Sequence, residues 1–258
     1  MVVLAAAVLP HPPLLVPELA AGAASLVAPL LAACDAVVAG LLARSPQTVV
    51  LIGSGRQTGL HASEETGSLA GFGTSVPGSG TSGQRTLELG TSGSGTSGRG
   101  TSTLPLSLTI GRWLLQRAGW SDRSGRVVVQ EVAADASAED CERLGVRLAA
   151  ETGPESVWLA LGDGSTRRGP RSPGHDDPRA ADFDAGVARA FATGDVVALL
   201  ALDPDLATQL GAAGRPVWQV LAGAVTAEPG WTAIKASVHY DDAPFGVEYL
   251  VADWAPRS

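Results

Sequence analysis

Short apolar runs, each closed by glycine or proline, alternate along this chain with longer segments of helical spacing. That alternation constrains the fold more than any other feature. Val2–Val8, Thr48–Ile52, Arg126–Val132 and Ser156–Leu161 read as strands, and three of them are too apolar to have a solvent face. Between and after them, Glu18–Arg44, Leu106–Ala118, Ser137–Glu151, Asp177–Ala192, Asp203–Leu210 and Pro216–Val225 carry helical periodicity. Pro29 is expected to kink or divide the first helix. Pro178 stands at a first turn, where its missing N–H costs nothing. Ser137 precedes Asp140 in capping-box-like spacing. Thr232–Tyr240 and Gly246–Trp254 form a last strand pair around the turn cluster Asp241-Asp242-Ala243-Pro244. The expected class is α/β: a single domain over residues 1–258, with a central, mostly parallel sheet, helices on both faces and a C-terminal β-hairpin.

Composition narrows the function. The 258 residues carry a net charge of -8, which argues against a nucleic-acid footprint. Of the 18 basic residues only Lys235 is lysine. Cys34 and Cys141 stand far apart without metal-ligand spacing and read as buried apolar residues. The start lacks a basic leader region, and Pro10-His11-Pro12-Pro13 cuts its apolar run short, so it reads as a first strand. The longest apolar stretch, around Leu26–Ala43, is interrupted by Pro29, Cys34 and Asp35, so no membrane span is expected. The expectation is a soluble, cytoplasmic protein.

Residues 73–103 differ from the rest. Gly-Thr-Ser recurs from Gly73, Gly80, Gly90, Gly95 and Gly100. Such a segment buries too little to offset its ordering entropy, so it reads as a flexible insert within the domain, a passive loop in preference to a lid.

In open α/β sheets, ligands bind outside the carboxyl ends of the strands. That directs attention to the loops Pro10–Pro17, Gly53–His61 and Gly162–Gly174. In the first of them, prolines on both sides restrict the backbone at His11, which suits a ligand or general-base histidine. The run His11-Pro12-Pro13-Leu14-Leu15-Val16-Pro17-Glu18 resembles the class III extradiol ring-cleavage dioxygenase superfamily, which includes catalytic chains of the protocatechuate 4,5-dioxygenase type and the Memo-like proteins. Leu161-Gly162-Asp163-Gly164-Ser165, Arg171-Ser172-Pro173-Gly174 and Asp177-Pro178-Arg179-Ala180 resemble the central portion of bacterial members. Gly214–Leu221 and Tyr240–Val247 resemble their C-terminal portion.

The resemblance implies one α/β domain and, in catalytic members, non-haem Fe(II) held by two histidines and a glutamate for opening a catechol ring with O₂. It also implies chains that pair with a second chain or form dimers, so a homo-oligomer is admitted. His11 matches the first ligand. At the second ligand's place this chain has Arg56 or Gln57, with His61 a few residues on. Thr166 and Arg167 stand where the acid/base histidine is expected, with His175 further along, and Ala213 stands where the glutamate is expected. Glu248 is the substitute carboxylate.

Two readings follow. In the first, His11, His61 and Glu248 hold Fe(II) in a rearranged dioxygenase site. In the second, the metal is lost and a small-molecule pocket around His11, Arg56, Asp163, Arg167 and Arg215 favours an anion, because guanidinium groups bind carboxylate and phosphate. The sequence favours the second, since one ligand of three is in register. His239, beside a turn, reads as structural.

Overall fold

The computed structural model describes residues 3–72, 104–121, 124–153 and 155–257. The Gly-Thr-Ser insert lies outside them. The strands are β1 (Val3–Leu9), β2 (Thr48–Gly55), β3 (Gly59–His61), β4 (Arg126–Ala133), β5 (Ser156–Leu161), β6 (Ile234–Asp242) and β7 (Tyr249–Pro256). The helices are α1 (Pro17–Ala20), α2 (Ala24–Leu42), α3 (Leu106–Arg117), α4 (Ala138–Glu151), α5 (Arg179–Thr193), α6 (Val196–Leu200), α7 (Pro204–Leu210) and α8 (Arg215–Thr226).

The strands make one mixed sheet in the order β3-β4-β2-β5-β1-β7-β6. Its centre, β4-β2-β5-β1, is parallel, and β3, β7 and β6 add antiparallel edges. Strand periodicity divides the core in two. Ala6, Val8, Val50, Ile52, Trp158 and Ala160 pack with α4, α5 and α8 on one face. Ala5, Ala7, Leu9, Val49, Leu51, Leu159 and Leu161 pack with α2 and α3 on the other. Both faces are covered, which explains the uninterrupted apolar runs.

Three details depart from the sequence expectations. The first helix divides at Ala21, not at Pro29; Ala21 takes φ 42°, and Pro29 lies inside α2. Pro29 and Ser25 are both exposed, so water can satisfy the carbonyl that the proline leaves unpaired. β3 and α6 appear where no element was expected; Asp195 caps α6 by accepting from Ala198 N–H. β6 continues through Asp242, which moves the turn to Ala243–Gly246, where Gly246 adopts φ 73°. The cap at α4 forms as its spacing suggests, with Ser137 accepting from Asp140 N–H.

Because the helix passes through Pro29, Pro17–Leu42 is by length and composition apolar enough to cross a membrane, with mean hydropathy 2.0 over its best window. Here Val27, Leu30, Cys34, Val37, Val38 and Leu41 on α2 are buried in the α2–α3 core cluster. That is also what a core helix of a globular fold looks like.

Helices α4 and α8 meet through glycines. A Cβ on Gly145 would lie 2.0 Å from the Val220 carbonyl oxygen, and one on Gly223 2.4 Å from that of Glu142. Helical Gly186 faces open space. Gly145→Ala is therefore expected to lower unfolding free energy by about 2–3 kcal/mol through overpacking, and Gly186→Ala to raise it by about 0.5–1 kcal/mol through helix propensity. Urea denaturation of both variants checks the opposite signs.

Candidate functional site

The site begins where β1 and β5 end together. Leu9 pairs with Leu161, and Gly162 N–H donates to the Leu9 carbonyl at 2.9 Å. This registration brings His11 and Asp163 side by side. His11 is 9% exposed, and Pro12 and the 3₁₀ turn Pro13–Leu15 fix its exit path, with Leu15 buried beneath. The His11 N–H donates to Asp163 Oδ1 at 2.8 Å, and the ring Nδ1 lies 3.5 Å from the same oxygen without a hydrogen bond. Burial pushes the Asp163 carboxyl above its ordinary value, against the lowering influence of His11. A Cβ on Gly162 would lie 2.3 Å from Gly214 Cα, and Gly214 N–H donates to the Asp163 carbonyl at 2.8 Å. The Gly-Asp sequence at the strand end is thus set by close packing against the start of α8.

Two further acids, Cys34 and Tyr249, lie in the core cluster on the α2 side of the sheet and are influenced by Asp163. Burial pushes the Cys34 thiol up, and the neighbouring charges of Asp35 and Asp163 add to the shift. Burial likewise pushes the Tyr249 phenol up, with Asp163 contributing.

The other proposed metal ligands do not join His11. His61 lies on β3 at the far edge of the sheet, four strand spacings from β1, or roughly 19 Å at about 4.8 Å each. Both of its ring nitrogens are engaged: Nδ1 with Glu65 at 2.9 Å and Nε2 with Glu131 at 2.8 Å. Burial alone would lower its pKa, but the hydrogen bonds and charges of Glu131 and Glu65 outweigh burial and raise it. The other Glu131 oxygen accepts the N–H groups of Arg56, at 2.6 Å, and Gln57, at 3.2 Å. Gly55 leaves the space that this carboxylate fills, since a Cβ there would lie 2.1 Å from Glu131 Oε1.

Glu248 faces away from His11. Strand alternation places it with Leu250, Ala252 and Trp254 on the α5 side, opposite Tyr249. Its Oε2 accepts from Arg168 Nη1 at 2.6 Å, and the same nitrogen lies 3.5 Å from Asp184. Burial, a hydrogen bond with Asp241 and the charges of Asp184 and Asp241 push the Glu248 carboxyl up to about 9. Among the described residues, no group of three His, Cys, Asp or Glu side chains is placed to hold a metal ion. The set His11, His61 and Glu248 does not fit the facial arrangement that non-haem Fe(II) requires.

The arginines expected around the pocket are also dispersed. Arg215, 1% exposed, spends its guanidinium on the carbonyls of Ala134 and Ala136 and on Gln219 Oε1. It buttresses the loop between β4 and α4, and the sequence reading of it as a pocket residue is corrected accordingly. Arg167 donates to the Gly174 carbonyl and lies near Asp177. Arg56 is exposed after β2. Of the five pocket residues proposed from sequence, the structure places His11 and Asp163 in contact. Sequence reading missed Glu65 and Glu131, whose link to His61 spans up to 70 positions. His239 contacts Asp253 beside a separate groove of about 220 Å³ between α2 and the C-terminal strands.

No family model matches the sequence, and no curated protein does. Among solved structures, the fold is similar to that of an uncharacterized protein, JW3007, from Escherichia coli K12, at 15% identity and a TM-score of 0.52. That likeness covers 98% of this chain and 99% of the other, and it concerns the fold alone.

The His61 clamp gives a pH signature. A raised pKa in the folded state contributes stability that is fully present below the unfolded value of about 6.5 and is lost as pH rises through the folded value. His61→Asn is expected to destabilise by about 1.5–3 kcal/mol at pH 6, the worth of a hydrogen bond to a charged group. By pH 9 its deficit relative to the parent should narrow. Paired denaturation curves at the two pH values check this.

Proposed function

We propose that this protein is a class III extradiol dioxygenase-like protein that has given up the ring-cleavage metal centre. In this reading it binds a small molecule at the carboxyl ends of β1 and β5. One observation carries the reading: His11, His61 and Glu248 are distributed over three places in the fold, and each of the latter two is already engaged by charged partners. Moving either one to His11 would break those contacts. His11, by contrast, is held in place through its backbone while its ring forms no hydrogen bond to the described residues. The His11–Asp163 pair offers a ligand one imidazole and one carboxylate at the position where open α/β sheets bind their ligands. The protein in this reading is cytoplasmic, needs no resident cofactor and binds neither nucleic acid nor membrane. A homo-oligomer is compatible with it.

The test is the metal content of protein purified anaerobically in the presence of Fe(II). The expected result is iron far below one equivalent and no oxygen-dependent opening of a catechol. Stoichiometric iron that disappears in His11→Ala would overturn the reading in favour of an active dioxygenase.

A further inference from the structure

A helix that is apolar on every side is ordinarily buried on every side. Helix α2 is not. Only 33% of the most apolar window of Pro17–Leu42 is buried. Leu26, at 57% exposed, and Pro29, Ala32, Ala36 and Gly40 turn to solvent. The one charge on the helix, Asp35, is taken by Arg117. The uncovered flank has a direction. Ala36 and Gly40, one turn apart, share the groove of about 220 Å³ with His239 of β6 and Asp253 of β7. That flank therefore faces the side of the sheet on which β6 lies. β6 ends the strand order, so its outer edge has no strand beside it among the described residues.

This edge strand also carries two charges, Lys235 and Asp242, that form no ion pair among the described residues. Lys235 is in register with Ala255 and Asp242 with Tyr249, and both of those residues belong to the α2-side core. Both charges therefore project on the α2 face of the sheet. In a regular strand, residues seven apart face opposite ways. The irregularity between Val238 and Tyr240 inserts His239 as a bulge and restores the match.

We propose that the β6 edge and the α2 flank form the interface for a second copy of this chain, related by a two-fold axis through the bulge. The two β6 strands run antiparallel across that axis and carry the sheet from one subunit into the next. Lys235 of each copy then stands opposite the partner's Asp242, on the same face. The axis is perpendicular to the sheet, so both α2 helices lie on one side of it and close over the join. The small side chains of Ala32, Ala36 and Gly40 permit a close approach. The nine residues of β6 and the nineteen of α2 each extend roughly 30 Å, and a strip of that length about 20 Å wide gives ~600 Å² per subunit, the lower end for a stable dimer. A lysine and a bulge on an edge strand guard against indiscriminate strand addition. Here they also select the register, because a shift by two residues sets Lys235 against Tyr240 or Pro244. A membrane is the poorer match. The edge carries Asp241 and Asp242, the net charge is -8, and a helix lying on anionic lipid needs a basic flank. The inference does not depend on what binds at His11.

Analytical ultracentrifugation of the full chain is expected to show a species of twice the 26.1 kDa chain mass. Lys235→Glu and Asp242→Lys should each weaken the dimer at least tenfold, since each places two like-charge pairs across the axis. The double variant re-forms both pairs in reverse and should return to within about threefold of the parent. Ala36→Glu, at an exposed helix position, should be a folded monomer by circular dichroism. A parent that is monomeric at every concentration, single charge reversals without effect, a double variant no better than the singles, or an Ala36→Glu protein that still dimerises would each overturn the inference. A monomer that floats with phosphatidylcholine–phosphatidylglycerol vesicles would overturn it in favour of a membrane.

Discussion

The parallel pairing of β1 with β5 is the constraint on which the rest of the site depends. It runs without interruption from Ala5↔Val157 to Leu9↔Leu161, and Gly162 N–H extends it by one more bond to Leu9. Two chain segments separated by 152 positions therefore emerge from the sheet at the same level, and the His11 N–H closes on Asp163. The pairing is fixed on both faces by fully buried residues. A slip by one position would exchange the contents of the two core clusters, so the register is strongly specified. The close approach of Gly162 to Gly214 then brings the start of α8 against the same strand end. The candidate site is in this sense a by-product of sheet registration.

The fold was largely legible because its strands are buried on both faces. Val-Val-Leu-Ile at β2 and Val-Trp-Leu-Ala-Leu at β5 can hardly be anything but interior strands once glycine closes them. β3 was illegible for the opposite reason. Gly59-Leu60-His61 is three residues long, with Leu60 facing solvent, and only the neighbouring β4 makes it a strand. A break at Pro29 was expected because local sequence does not reveal that water can reach the Ser25 carbonyl there.

The site was legible only in part, and the reason is again physical. Prolines fix the path on both sides of His11, so local sequence was enough to single it out. His61 and Glu248 depended on partners far along the chain: Glu131 for one, Arg168 and Asp184 for the other. Spacing could not show that these histidine and glutamate side chains were already spent. Arg215 misled for a related reason. An arginine at the first position of a helix beside a strand end looks like a ligand contact, but its carbonyl partners come from the loop before α4. Arg167, Arg168, Arg179 and Arg215 are engaged by backbone carbonyls and by Asp177, Asp184 and Glu248, so none of these four is free to line a pocket at His11.

The proposed reading holds that His11, with Asp163 beside it, does not form an iron centre. Diffraction at the iron absorption edge, from crystals grown anaerobically with excess Fe(II), tests it most directly. The account predicts no ordered anomalous peak within bonding distance of the His11 ring. A peak about 2.0–2.2 Å from His11 nitrogen, completed by two further protein donors, would contradict it.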